Sequence, residues 1–471
     1  MKIRNPRTGQ FDYDLTTDSV EQVAAKAASL RLAQSDWRSK SFHDRIAIIV
    51  QLAEQMEAHQ ESLIEQLSID TGRKHLSAVE FHAGLGLIRG RCASATHIMK
   101  EPETRASLSN PTVNIKQQWV PYDLVGVISP WNFPLLLCLI DAIPALIAGS
   151  AVLLKPSEVT PRFMDILEQC IYNVPELNKV ATLVRGGAEV GRSVVDQVDV
   201  ICFTGSVRTG HIIAKRTAER FIPAFLELGG KDPAIVMEDA DLDVAVAAIM
   251  RSGFGASGQA CQSLERVYVH HAVYDPFIEK LTAKAQDVST NHDYSKGGNL
   301  GPLIFAGQSA TIESQLKDAI AKGALIKSGG QIENHQGGLW LKPTIVTQVT
   351  HEMEIMTEET FGPVIGVMSY ETIQEAIRLA NDSIYGLSAS VFSKDTAKAV
   401  EVAKSINAGG ISINDGSLTN QVFDAEKNSF GKSGLYGSRM GADGLLRFFR
   451  KKAILIQTAA PVSIDTQAEL A

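Results

Sequence analysis

Cys261 closes the run Gly253-Phe254-Gly255-Ala256-Ser257-Gly258-Gln259-Ala260-Cys261 and is followed by the polar pair Gln262-Ser263. Glycines this dense let a backbone close tightly around something, or present its donors to it. A cysteine in such a place can act as a thiolate nucleophile, given a base or positive field and donors for an oxyanion. Cys92, Cys138, Cys170 and Cys202 instead lie in apolar helical or strand settings and read as small core hydrophobes. Glu227 stands out among the carboxylates because it precedes the tight-turn segment Leu228-Gly229-Gly230-Lys231. Residue types alone do not pair it with Cys261.

Two further segments suit phosphate and sugar. Thr204-Gly205-Ser206-Val207-Arg208-Thr209-Gly210 joins an apolar strand to a helical pattern beginning at His211. Glycine at such a turn lets the backbone approach a pyrophosphate, and the helix start offers free N–H groups to an anion. The spacing is Gly-x4-Gly rather than the usual dinucleotide fingerprint, so an ordinary strand-to-helix turn reads equally well. Lys155-Pro156-Ser157-Glu158 follows another apolar strand. An acidic residue there can accept both ribose hydroxyls and would repel a 2′-phosphate. A charged, helix-capping turn is the plain alternative.

The elements that must position these residues are legible as periodicity. Residues 19–32 and 42–69 carry the i, i+3, i+4 apolar spacing of amphipathic helices. Short apolar runs at 124–128, 151–154, 198–203, 234–237 and 364–368 read as buried parallel strands. Their alternation with helices predicts an α/β architecture with parallel sheets covered on both faces. Residues 113–119 and 452–458 alternate apolar and polar side chains, which predicts half-solvated strands that could pair as an arm outside the main sheets.

With 471 residues the chain has room for at least two domains. Its net charge of −8 and lack of Lys/Arg runs exclude a nucleic-acid footprint. Five cysteines with no Cys-x-x-Cys pair point away from a disulfide framework and from a zinc or other metal site, and toward a reducing, cytoplasmic setting. The N-terminus turns polar at once, with no apolar core of signal-peptide length. Residues 133–154 are mostly aliphatic, yet Asp141, Pro134, Pro144 and Gly149-Ser150 interrupt them. A buried helix to about Ala148, a turn and a short strand fit better than a membrane span.

Taken together and in order, the segments resemble the aldehyde dehydrogenase superfamily. The matching stretches are Pro130-Trp131-Asn132-Phe133-Pro134, Lys155-Pro156-Ser157-Glu158, Phe203-Thr204-Gly205-Ser206, Glu227-Leu228-Gly229-Gly230-Lys231, Gly258-Gln259-Ala260-Cys261 and Glu358-Glu359-Thr360-Phe361-Gly362-Pro363. The resemblance implies NAD(P)-dependent oxidation of a small-molecule aldehyde to its acid. By motif position Cys261 would be the nucleophile and Glu227 the base that activates the hydrolytic water. Asn132 and the Cys261 N–H would form the oxyanion hole. A free thiol is only a few per cent ionised at neutral pH, so the site is expected to favour the thiolate.

Lys155 and Glu158 would clamp the adenosine ribose, and Gly205-Ser206 would meet the pyrophosphate. Glu359 would hold the nicotinamide ribose, with Phe361, Trp131 and Leu228 along the same channel. Glu158 favours NAD over NADP, with Lys155 offsetting part of its charge. The implied fold is a Rossmann-like NAD-binding domain (1–104 and 122–230), an α/β catalytic domain (231–428) and a small β oligomerisation arm (105–121 and 450–460). A flexible tail (461–471) completes the chain, and a homodimer or homotetramer is expected.

The chain departs from the family pattern at Asn420-Gln421-Val422-Phe423-Asp424-Ala425-Glu426-Lys427-Asn428-Ser429-Phe430-Gly431-Lys432-Ser433-Gly434, where many relatives carry Pro-Phe-Gly-Gly. By analogy Leu137, Ile140, Ala260 and Gln262 would face the substrate. Ile140-Asp141 stands where semialdehyde-oxidising relatives carry a basic residue, which favours a medium-sized apolar or aromatic aldehyde over a short semialdehyde. Glu227 argues against a CoA-acylating enzyme, and Cys261, Glu227 and Asn132 together argue against a non-catalytic scaffold.

Overall fold

The computed structural model describes residues 1–100, 103–293, 295–461 and 463–464. Most of the expected tail at 461–471 therefore lies outside the described residues. Two large sheets organise the chain. The first has strands in the order Gly434–Leu435, Ala224–Glu227, Val200–Thr204, Leu124–Ile128, Ala151–Lys155, Ala181–Leu183. All its pairings are parallel except that of Gly434–Leu435 with Ala224–Glu227. The second runs Leu325–Ser328, Thr344–Thr347, Val364–Tyr370, Leu264–His270, Asp232–Val236, Ser388–Phe392, Gly410–Ile413 and is parallel beyond its antiparallel first strand. This is the expected α/β class, with the apolar runs as buried strands.

In the first sheet Leu124–Ile128 and Val200–Thr204 are neighbours although the chain visits two other strands between them. Such a reversal of strand order opens a crevice at the carboxyl ends of the strands, the usual ligand position in open α/β sheets. The segments after these two strands are Ser129 to Asn132 and Gly205-Ser206, so the topology delivers both motifs to one edge.

The aliphatic stretch at 133–154 resolves into a helix, a turn and a strand. Pro134 starts the helix Pro134–Ala148, Gly149 ends it in the left-handed conformation at φ 107°, and Ala151–Lys155 follows as a strand. Proline at the first helical position and glycine just past the end are the residues such boundaries favour. No helix among the described residues is long and apolar enough to cross a membrane. The helix is apolar all round because it is buried, and it carries Asp141 at 1% exposure. Arg439 Nη2 meets Asp141 Oδ2 at 2.6 Å, and Arg447 donates to Oδ1. Burial alone would raise this carboxyl, but Arg439 and Arg447 overcome it and hold the group below its ordinary value.

The helical pattern at 42–69 differs in one respect: it forms two helices, Phe42–Ala58 and Gln60–Thr71. At the break His59 leaves helical geometry at φ −108°, ψ 20°, while its ring Nδ1 lies 2.8 Å from the Gln55 carbonyl. A side chain competing for a backbone acceptor ends a helix without glycine or proline. The two alternating segments are strands, Val113–Pro121 and Phe449–Gln457, paired antiparallel along nine residues outside both large sheets.

Removing Asp141 would leave two buried guanidinium groups side by side without their shared anion. Asp141→Ala is expected to destabilise the fold by about 3–5 kcal/mol, read from urea unfolding. A loss below ~1 kcal/mol would mean that the triad is not holding helix and C-terminal segment together.

Candidate active site

A cavity of 710 Å³ lies between the carboxyl ends of the first sheet's strands and the segments that lead into strands of the second. It is lined by Asn132, Glu227 and Cys261, by Trp131, Lys155, Glu158, Gly205, Ser206, Leu228, Glu359 and Phe361, and by Leu137. Segments more than 200 residues apart in the chain thus share one space. Cys261 is half-buried, whereas the other four cysteines are buried.

The loop before Cys261 explains its glycines. Ala256, Ser257 and Gly258 take φ of 53°, 58° and 66°, three successive residues in the left-handed region. Such a run is strained for residues with a Cβ and persists only when its surroundings over-determine it. Gln259, wholly buried, supplies that constraint. Its Nε2 donates to the Ala256 and Pro302 carbonyls at 3.2 and 3.0 Å, and its Oε1 accepts the Ile304 N–H at 2.8 Å. Ser257 Oγ adds a bond to the Gly301 carbonyl at 2.8 Å. At Gly258 a Cβ would fall 2.1 Å from the Gly362 carbonyl oxygen, which leaves no room for a side chain.

Asn132 is 3% exposed and its Nδ2 donates to the Gln259 carbonyl at 3.0 Å, tying it to the cysteine loop. Arg73 donates to its backbone carbonyl. The following helix start is capped by buried Glu80, whose Oε1 accepts the Leu135 and Leu136 N–H groups at 2.8 and 3.1 Å. Glu227 ends its strand with its carbonyl taking the Gly205 N–H at 3.1 Å and its Oε2 accepting Ser429 Oγ at 3.0 Å. The divergent 420–434 segment therefore touches the site directly. Ser433 also belongs to it: its carbonyl accepts the Leu228 N–H at 2.8 Å and its Oγ donates to the Gly229 carbonyl at 2.7 Å.

On the far side of the cavity Lys155 Nζ meets Glu158 Oε2 at 3.1 Å. Ser206 caps the helix Val207–Glu219, accepting the Thr209 N–H, so the helix start opens toward the cavity. At Gly210 a Cβ would lie 2.5 Å from Leu228 Cδ2, so glycine there allows helix and loop to pack. Phe361, at φ 50°, stands edge-on to Trp131 with ring centroids 5.3 Å apart. Glu265 holds this loop, accepting the Thr360 and Phe361 N–H groups at 2.8 Å each and Lys231 Nζ at 2.6 Å. Glu359 Oε1 accepts the Gly230 N–H at 3.2 Å, and burial first, then Glu265, raise its carboxyl to about 8.

The sequence matches the aldehyde dehydrogenase family over residues 1–454. The chain belongs to that family. It is 34% identical, over 95% of its own length and 87% of the relative's, to a Mycolicibacterium smegmatis protein provisionally named succinate-semialdehyde dehydrogenase [NADP(+)]. Its fold is similar to that of a provisionally named aldehyde dehydrogenase, PutA, of Anabaena variabilis, at TM-score 0.95 and 45% identity, covering 98% of each chain. The betaine aldehyde dehydrogenase of Staphylococcus aureus, solved in complex with NAD+, matches at TM-score 0.91 and 30% identity over 98% of this chain and 92% of that one. The protein is an oxidoreductase of aldehydes from a family that uses NAD(P).

The cavity suits such a cofactor on its own chemistry. It combines a carboxylate–lysine pair, an open helix start and a second carboxylate, within the ~300–1,000 Å³ usual for ligand pockets. Two expectations need correction. Ile140 is 2% exposed and packs in the core rather than lining this cavity, which Leu137 on the same helix reaches instead. The protein groups around Cys261 also do not favour its thiolate as expected. Burial first, then Asp232, Glu359 and Glu227, push the thiol up to about 12, and Lys427 pulls in the other direction. Ala260 and Gln262 are half-buried, and Gln262 Oε1 accepts Thr419 Oγ1 at 2.6 Å, so that amide is engaged with the divergent segment.

The glycine geometry makes a two-sided prediction. Gly258→Ala should lower the thermal midpoint, costing more than ~1 kcal/mol, because both φ and space forbid a Cβ. Gly255→Ala, at φ −53° with nothing within 4 Å, should be neutral or raise the midpoint. Equal effects at the two positions would contradict the strained-loop reading.

Proposed function

We propose that this enzyme oxidises an aldehyde to its carboxylic acid with Cys261 as nucleophile, Glu227 as hydrolytic base and Asn132 as oxyanion donor. The observation that carries the reading is the convergence of these three side chains on one cavity, each fixed by its own network. The Cys261 sulfur bonds to the aldehyde carbon, and the carbonyl oxygen takes up the negative charge. Asn132 Nδ2 and the Cys261 N–H stabilise that oxygen. Loss of one such donor typically costs about 10²–10³ in rate. When bound, NAD(P) supplies the acceptor for the hydride that leaves this carbon, and Cys261 then carries the acyl group as a thioester. Glu227 takes a proton from water, the water oxygen bonds to the acyl carbon, and the C–S bond breaks to release acid and thiolate.

Lys155 and Glu158 would hold the adenosine ribose, Gly205-Ser206 the pyrophosphate and Glu359 the nicotinamide ribose, with Trp131, Leu228 and Phe361 along the nicotinamide channel. We read the preference as NAD, because the Glu158 carboxylate would face a 2′-phosphate. Leu137 beside the apolar rings of Trp131 and Phe305 supports a medium-sized apolar or aromatic substrate, since burying its skeleton contributes ~25 cal/mol per Å². A carboxylated aldehyde is the second reading, favoured by the M. smegmatis relative's name. The domains at 1–104 with 122–230 and at 231–428 would divide cofactor binding from catalysis. The paired strands outside the sheets would join subunits, supported by Ile454, Leu455 and Ile456 at 40%, 66% and 43% exposure.

NADH formation across an aldehyde panel tests the chemistry. Turnover is expected without CoA and should vanish in Cys261→Ala. Glu227→Gln should lose about 10²–10⁴ in steady-state rate while Cys261 still reacts with iodoacetamide. Turnover that requires CoA, or efficiency greater with NADP than with NAD, would overturn the respective part. Light scattering is expected to return the mass of a dimer or tetramer, and a 51 kDa species at micromolar concentration would overturn the arm assignment.

A further inference from the structure

Lys427 lies in the divergent segment, outside every motif that the family resemblance uses. Its backbone N–H donates to buried Ser438 Oγ at 3.0 Å, which fixes this point of the segment. Its side chain runs inward past Gly410, where a Cβ would come within 2.9 Å of Lys427 Cδ and 3.5 Å of Nζ. The Nζ atom is buried and has no hydrogen-bond partner among the described residues. An ammonium group shut away from water is costly unless an anion joins it.

Gly410, against which this side chain packs, also abuts Thr419, whose Oγ1 donates to Gln262 next to Cys261, so the ammonium lies on the Cys261 side of the segment. The acidic groups acting on its charge are Glu227 first, then Cys261 and Asp232. Glu227 is held by Ser429 Oγ, and Asp232 accepts both the N–H and the hydroxyl of Ser388. Lys231 is engaged with Glu265 and Thr360, and Arg439 with Asp141 and Thr204. Toward Cys261 the facing charges are Asp232 from its strand, Glu359 from the loop after Thr357, Glu227 from the cofactor-side sheet and Lys427. Three carboxylates thus oppose ionisation of the sulfur. Lys427, whose Nζ has no hydrogen-bond partner among the described residues, is the cation that offsets them.

We propose that Lys427 is the counter-ion of the Cys261 thiolate, a positioning residue supplied by the segment in which this chain departs from its relatives. The proposal rests on Cys261 being the nucleophile. The S–H bond ionises, its proton passes to solvent water, and the sulfur keeps the electron pair opposite an ammonium that retains its own proton. A neighbouring opposite charge favours the ionised form.

The test is the pH dependence of iodoacetamide alkylation of Cys261 in the full chain, with the adduct located by peptide mass spectrometry. Lys427→Met should raise the midpoint by about one unit or more, and Lys427→Arg should restore it close to wild type. Should Lys427→Met lose the native circular dichroism spectrum, Lys427→Gln is read by the same criterion. Equal midpoints in wild type and a folded, uncharged variant overturn the proposal. So does an unchanged midpoint with a tenfold rise in KM for succinic semialdehyde alone, which would make Lys427 a substrate-carboxylate anchor. Failure of the underlying reading has a separate signature: Cys261→Ser would keep forming NADH.

Discussion

The buried carboxylate of Glu265 fixes the spacing on which the site depends. One of its oxygens takes Lys231 Nζ and the Thr360 N–H, and the other takes the Phe361 N–H. Lys231 follows Glu227 by four residues, and Thr360-Phe361 follows Glu359, so one side chain couples two opposite walls of the cavity. A charge so enclosed is tolerable only because its acceptor positions are filled. Lys231, itself wholly buried, is tolerable for the same reason, with Thr360 Oγ1 as its second partner at 2.8 Å. Gly229 completes the joint: a Cβ there would come 2.3 Å from a Glu359 carboxylate oxygen.

The same logic recurs at three further polar groups buried near the cavity. Glu80 caps the helix that follows Asn132, Gln259 braces the loop before Cys261, and Asp141 neutralises Arg439 and Arg447 beneath the floor. Each places a hydrogen-bonding or ionic partner deep in the fold, and each stiffens an element near the cavity. Precision of this kind comes from supporting groups rather than from the reactive groups themselves.

Much of this was legible in the sequence where the signal is local. The apolar runs at 124–128 and 151–154 became adjacent parallel strands because a buried strand needs only a short, unbroken apolar stretch. Gly253 to Cys261 announced an unusual backbone through glycine density, and the structure adds left-handed Ala256 and Ser257, which composition does not reveal. Glu80, Glu265, Gln259 and Ser429 were not legible, since each acts on a partner 43 to 202 residues away in the chain and carries no local pattern. Ile140 misled for a related reason. Helical spacing puts it near the face of Leu137, but only packing decides which of the two reaches the cavity.

Cys261 and Glu227 belong to different sheets. Cys261 precedes the strand Leu264–His270, and Glu227 ends the strand Ala224–Glu227, so the two sheets hold one group each. The separation of Cys261 from Glu227 is therefore a distance between two sheets, linked by the short segment from Leu228 to Lys231. A small rotation of one sheet against the other changes that separation without altering either sheet. Only the four residues from Leu228 to Lys231 join the two strands, so the length of that segment sets how far apart the sheets can carry Cys261 and Glu227.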